Sequence, residues 1–223
     1  MATEPIRIQL PITPDVAKSL RAGDSVLLNG SMLTARDAAH IRLAAAAAVG
    51  EPLPVSLEGQ TIYYLGPAPT KPGMAIGAAG PTSSYRMDRY TPLLLSLGLR
   101  GMLGKGDRSA PVIDAIREWS AVYFAAVGGT AALLAKHITA SKVIAYEDLG
   151  PEAIRCIEVK NFPAFVAIDC VGGDLYKTGP AAYGIPDGRR PGPGTSVRPE
   201  PNIRPAKDSQ DILQNIKRSD ERA

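Results

Sequence analysis

Residues 77–108 read GAAGPTSSYRMDRYTPLLLSLGLRGMLGKGDR, and the rest of the chain is organised around them. The stretch opens as a small-residue loop, Gly77-Ala78-Ala79-Gly80-Pro81, in which no bulky side chain covers the backbone N–H groups. Two hydroxyls and a cation follow at once, in Thr82, Ser83 and Arg86. An apolar segment from Tyr90 to Leu103 then carries the chain to a second cation held between glycines, Gly104-Lys105-Gly106. Loop amides, hydroxyl, guanidinium and a returning ammonium suit a small anion, a phosphate or a carboxylate, better than they suit a core.

Two familiar phosphate-binding patterns fail on spacing. A Walker A loop needs four residues between its first glycine and Gly-Lys, whereas Gly98 to Gly104 leaves five, and Gly106 stands where Ser or Thr is required. Gly73, Gly77 and Gly80 do not space as GxGxxG either. A carboxylate is at least as good a ligand as a nucleotide.

At 223 residues the chain fits one domain with room for an appendage. Its 45% apolar and 21% charged content is that of an ordinary soluble globular protein. Aromatics make up only 5%, so the core must be built of Ala, Val, Ile and Leu. A net charge of +3, with no interleaving of aromatic and basic residues, argues against nucleic acid as a partner. Cys156 and Cys170 form no CxxC pair, and two thiols alone hold neither a cluster nor a structural zinc; both read as small buried hydrophobes. No signal peptide or membrane-spanning apolar run is visible, so a cytoplasmic protein without a membrane partner is expected.

Upstream of the central stretch, Ile6, Ile8 and Leu10 alternate as on a half-buried strand, and Thr13-Pro14-Asp15 opens a short helix through Leu20. Ser25 to Leu28 reads as a strand and Asn29-Gly30-Ser31 as a turn. Thr34 and Asp37 resemble a capping box for an alanine-rich helix running to Val49. Arg36 falls in the first turn, where a cation opposes the helix dipole; it reads either as an anion grip or as a surface charge. His40 reads as a packing residue. Ile62 to Leu65 forms another short strand.

Downstream, Ala110 to Ser120 reads as a helix and Ala121 to Val127 as a buried strand. Gly128-Gly129-Thr130 then precedes a helix over Ala131–His137; it is either a tight connection or a set of amides offered to an anion. The adjacent acids Glu147 and Asp148 follow a strand at Val143–Tyr146, and neighbours on extended chain point apart, so they rarely share a site. Ile154 to Val159 and Ala164 to Asp169 read as a strand pair around an Asn161-Phe162-Pro163 turn. Short strands interleaved with helices give a single compact α/β domain over residues 1–184. Residues 185–223 carry six of the prolines and paired arginines in a flexible, linker-like tail, with a short docking helix possible over Asp208–Arg218.

Three motifs in fixed order carry a family resemblance: Gly30 followed by Thr34-Ala35-Arg36-Asp37-Ala38-Ala39-His40, then Gly80-Pro81-Thr82-Ser83-Ser84-Tyr85-Arg86-Met87-Asp88, then Gly104-Lys105-Gly106. Over roughly residues 5–183 the chain resembles the β-subunit of class I fumarate hydratases, the module that also forms the C-terminal half of one-chain class I fumarases and the β-subunit of L-tartrate dehydratase. The Gly128-Gly129-Thr130 turn and the Tyr146–Gly150 segment look like landmarks of the same family.

That resemblance implies a swivelling β/β/α domain and an iron–sulfur hydro-lyase of the tricarboxylic acid cycle, interconverting fumarate and (S)-malate. It implies a [4Fe–4S] cluster ligated by a partner α-subunit, no metal ligand in this chain, and a heterodimer or α2β2 assembly active only with that α-subunit. The family's carboxylate grips fall on Arg36, Arg86 and Lys105, and its proton-abstracting hydroxyl on Thr82. Two departures stand out: Ser83-Ser84-Tyr85 where Thr and small residues are common, and Asp107 where many members have Asn, close enough in sequence to retune Lys105.

Water loss from malate removes a weakly acidic C3 proton and expels a poor leaving group. A Lewis-acidic iron suits the second task, leaving cations to stabilise the charge that develops on a carboxylate. Threonine is a poor base unless Arg86 and Lys105 stabilise its alkoxide, and Thr82 as an orienting group is the competing role. L-tartrate dehydratase or mesaconate hydratase is the alternative within this chemistry. A non-catalytic anion-binding module is the alternative outside it.

Overall fold

Two long strands form the spine of the protein, β2 (Ser25–Thr34) and β7 (Ile154–Ile168). The computed structural model describes residues 4–183. β2 and β7 pair antiparallel from Ser25 opposite Phe165 to Thr34 opposite Arg155. Each is long enough to take two partners in succession along its other edge. On β2, β1 (Ile6–Gln9) covers Val26–Asn29, and β3 (Thr61–Tyr63) takes over at Leu33 and Thr34, both parallel. On β7, β6 (Ile138–Ala145) runs along Ile154–Val159 and β5 (Val122–Ala125) along Phe165–Ile168, both antiparallel.

β4 (Gly101–Gly104) lies between β3 and β5 and is parallel to both. The ladder therefore returns on itself through β2, β3, β4, β5 and β7. Its three short parallel strands are buried on both faces, as their unbroken apolar runs require. Leu28, Met32, Tyr63, Leu103, Phe124 and Phe162 belong to one apolar cluster. The second packs Ile62, Tyr64, Met102 and Tyr123 against α2 (Asp37–Ala48), α3 (Thr91–Ser96) and α4 (Ala110–Glu118). Each large side chain so buried contributes about 1.5–3 kcal/mol. The remaining helices are α1 (Pro14–Ser19), α5 (Ala131–Ala135) and α6 (Leu175–Tyr183).

Thr13 caps α1 as the sequence predicts, its hydroxyl accepting from the Val16 N–H. Three expectations are corrected. Asn29-Gly30-Ser31 is no turn: β2 runs through it, with Gly30 at φ +106° beside a register shift. Asn161-Phe162-Pro163 does not reverse the chain either. There β7 bulges, with Lys160 and Asn161 together opposite Asn29; Asn161 takes φ +49°, and its N–H donates to the Asn29 side chain. Pro163 sits in the gap between the end of β6 pairing and the start of β5 pairing, where its missing N–H costs no ladder bond on that edge.

The third correction is the capping box. Thr34 ends β2, and its hydroxyl accepts from the Arg155 N–H; Arg36 is the N-cap residue of α2 and makes no side-chain cap. The Ala38 N–H is satisfied from far away, by Glu152 Oε2 at 2.8 Å. The cysteines also differ from expectation. Both are half-buried rather than buried, with Cys156 Sγ 3.0 Å from Ser31 Oγ and Cys170 near the Ala17 carbonyl. The Pro/Arg-rich segment 185–223 and its candidate docking helix lie outside the described residues.

Candidate active site

The C-terminal ends of β2, β3 and β4 open into one cleft of about 290 Å³, lined by Arg36, Gly66, Gly80, Pro81, Thr82, Ser83, Tyr85, Arg86 and Lys105. Ligands of open α/β sheets bind at this end of the strands, where connecting loops supply the chemistry. Backbone pairing fixes the loop that carries Thr82. The Thr82 N–H donates to the Tyr64 carbonyl at 2.8 Å, the Lys105 N–H to the Thr82 carbonyl at 3.2 Å and the Ser84 N–H to the Lys105 carbonyl at 2.9 Å. Residues 82–84 thus wedge between the chain leaving β3 and the chain leaving β4. Gly104 makes this approach possible: a Cβ there would stand 2.0 Å from Ser84 Oγ and 2.9 Å from the Tyr64 ring.

The C-terminal end of the 77–108 stretch is clamped onto its middle. Arg108 is buried; its Nε donates to Asp88 Oδ1 at 2.7 Å, its Nη2 donates to Thr91 Oγ1 at 2.8 Å, and it lies against the rings of Tyr64 and Tyr123. Asp88 Oδ2 also accepts from the Ser109 N–H at 2.6 Å. Arg86 precedes this clamp by two residues and Lys105 by three, so a structural ion pair sets the backbone from which both reach the cleft.

The four residues singled out from the sequence, Arg36, Thr82, Arg86 and Lys105, all line this one cleft. Arg86 Nη2 donates to Thr82 Oγ1, which leaves the hydroxyl proton free to turn toward the cleft. A guanidinium in that position favours negative charge on the oxygen. Lys105 has no carboxylate within ion-pair distance among the described residues, Asp107 included. The Gly128–Thr130 turn runs beside Lys105, a Cβ on Gly128 lying 4.0 Å from Nζ, but its residues do not line the cleft.

Two carboxylates escaped the sequence reading. Asp37 accepts from Arg36 Nε through Oδ2 at 3.1 Å and faces Arg86 Nε through Oδ1 at 3.4 Å. Glu152 Oε1 lies 3.4 Å from Arg36 Nη2. Asp37 was visible as the neighbour of Arg36, but its role as a helix cap concealed it; Glu152 has no local signal at all. Gly66 also belongs here, because a Cβ on it would meet Arg36 Nη1 at 2.8 Å. The adjacent acids Glu147 and Asp148 lie in a 3-10 segment rather than on extended chain, and Asp148 is taken by a bidentate pair with Arg42.

His40, under the site, keeps its packing role. Its ring is buried edge-on to Tyr64, and Nδ1 lies 3.0 Å from the Arg36 carbonyl. Among the described residues no group of three or more His, Cys, Asp or Glu side chains is placed to hold a metal ion, and no helix is long and apolar enough to cross a membrane.

A family model described as "Fumarase C-terminus" matches residues 2–179. The chain is 44% identical to "Fumarate hydratase 2" of Leishmania major over 156 residues, covering 69% of this chain and 28% of that protein. It is 43% identical to "Fumarate hydratase class I, aerobic" of Salmonella typhimurium over 152 residues, covering 67% of this chain and 26% of that protein. Against "Putative L(+)-tartrate dehydratase subunit beta" of Methanocaldococcus jannaschii, identity is 36% over 172 residues, covering 74% of this chain and 88% of that protein. The matched segment thus spans little more than a quarter of the fumarate hydratases but most of the β-subunit.

Proposed function

The chain belongs to the Fumarase C-terminus family, and from that premise we propose that it is the β-subunit of a class I hydro-lyase for a small dicarboxylate, with fumarate and (S)-malate as its pair. One observation carries the reading: three cations and a hydroxyl from separate loops meet in one small cleft, with the hydroxyl accepting from a guanidinium. In this reading Arg36, Arg86 and Lys105 grip the substrate carboxylates. Lys105, which pairs with no carboxylate among the described residues, and the Nη1 groups of the arginines stabilise the charge that builds on a carboxylate as C3 loses its proton. Thr82 Oγ1 receives or relays that proton, its alkoxide supported by Arg86.

The described residues of this chain offer no ligand set for a cluster. A [4Fe–4S] cluster is therefore assigned to a partner α-subunit, the counterpart of the remaining three quarters of the fumarate hydratase relatives. The roles proposed for this chain are confined to binding, orientation and proton handling. A cytoplasmic location and a heterodimer or α2β2 assembly belong to the same reading.

The near-complete coverage of a tartrate dehydratase β-subunit favours one second reading, a hydro-lyase for L-tartrate. The experiment is steady-state kinetics of the assembled enzyme with fumarate, mesaconate and L-tartrate. Fumarate is expected to give the highest kcat/KM, and L-tartrate turnover without fumarate hydration would establish the second reading instead. In the same assay, Arg86→Ala or Lys105→Ala is expected to lower kcat/KM at least about a hundredfold. Wild-type rates in either variant would remove that residue from the site.

A further inference from the structure

The arginines of the cleft are not held by packing alone. Arg36 donates from Nε to Asp37 and holds Nη2 3.4 Å from Glu152 Oε1; Arg86 donates from Nη2 to Thr82, and its Nε stands 3.4 Å from Asp37 Oδ1 as an ion pair without a hydrogen bond. Each guanidinium makes one hydrogen bond and one ion pair through two of its three nitrogens, and Nη1 lies outside these pairings. Two guanidinium groups directed at one small cleft repel each other, the more so where water is partly excluded. Asp37 stands between them, offering a separate carboxylate oxygen to each Nε.

Glu152 plays the parallel part from the far side of the chain. One of its oxygens accepts from the Ala38 N–H in the first turn of α2, and the other faces Arg36 Nη2. The side chains of all four groups are a quarter to a third exposed, dry enough for the charges to interact and wet enough for a ligand to reach them.

Building on the hydro-lyase reading, we propose that Asp37 and Glu152 are positioning residues: they orient Arg36 and Arg86 so that the Nη1 edges face the substrate carboxylate, and Asp37 couples the two arginines into one unit. Neither acid touches the reacting atoms. The acid is needed as an anion. An amide at position 37 can still accept from Arg36 Nε but carries no charge, so the ion pair that holds Arg86 beside Arg36 is lost. A guanidinium displaced by about an ångström loses its hydrogen bond to the substrate carboxylate, at a cost on the order of ten- to a hundredfold in rate.

The test is a pair of mutant cycles on the assembled enzyme, with kcat/KM for diacid hydration as the readout. Asp37→Asn is expected to lose at least about tenfold alone, and that loss is expected to shrink at least about threefold in the Arg36→Ala background and in the Arg86→Ala background. Asp37→Glu, which keeps the charge, is expected to recover part of the loss. An equal Asp37→Asn loss in all three backgrounds would make Asp37 a structural residue and overturn the proposal, as would an undiminished rate. If Asp37→Asn does not fold, Glu152→Gln against Arg36→Ala decides by the same criterion. Failure of the underlying reading is distinguishable: the unmodified assembled enzyme would then hydrate no diacid at all.

Discussion

At the residue scale, His40 shows how the cleft is supported from beneath. Burial, opposed by its hydrogen bond to the Arg36 carbonyl and assisted by the nearby Arg108 charge, lowers its pKa from 6.5 to about 4. The imidazole is neutral in the folded chain. Below pH 6.5 the unfolded chain takes up a proton that the folded chain refuses, so stability rises with pH across this window. The contribution is fully present above pH 6.5 and is lost as pH falls toward about 4. Its full size is on the order of 3 kcal/mol. Denaturant unfolding at several pH values checks this: His40→Leu is expected to flatten the fall in stability between those limits. An unchanged slope would mean that the ring is protonated in the fold.

Thr82 and Lys105 beside proline or glycine, Arg36 where a cation opposes a helix dipole, and Arg86 following a small-residue loop are legible in the sequence, because their type and setting fit no core role. That logic found Arg36, Thr82, Arg86 and Lys105, which share one cleft. It could not find Asp37 and Glu152. A carboxylate that only serves a cation looks like any surface acid until the fold brings the two together, and Glu152 reaches α2 across 114 positions.

At the scale of elements, β1, β3 and β5 and the helices α1, α2, α4 and α5 follow from apolar runs and helix-forming segments, whereas the Tyr90–Leu103 segment, legible only as apolar, holds both α3 and β4. The errors fall on β2 and β7, where Asn-Gly and Asn-Phe-Pro were taken for reversals. The same residues that permit a turn also permit a bulge, because both need a positive φ, and only long-range pairing decides between them. Gly30 makes the point in energy. Its φ is +106°, and a Cβ would stand 2.8 Å from the Leu10 carbonyl oxygen, a backbone atom that cannot step aside. Gly30→Ala is therefore expected to destabilise the chain by at least about 2 kcal/mol. A midpoint of denaturant unfolding equal to that of the wild type would show that β1 and β2 can part there without strain.

At the scale of the whole molecule, the chain brings three cations and a hydroxyl into one cleft and, among its described residues, groups no three His, Cys, Asp or Glu side chains for a metal ion. Removing hydroxide from a diacid needs a strong electrophile as well as a place to hold the carboxylates. The proposed function is one of division of labour, in which this chain holds and deprotonates the diacid and a second subunit brings the electrophile. Purification of the tagged chain under anaerobic conditions from its native cells, followed by an assay of the eluate for fumarate hydration, tests that claim most directly. The account predicts a brown eluate containing an iron- and sulfide-bearing second subunit and active on fumarate. A colourless chain recovered alone that nevertheless binds malate tightly would contradict it, and would mark the protein as an anion-binding module.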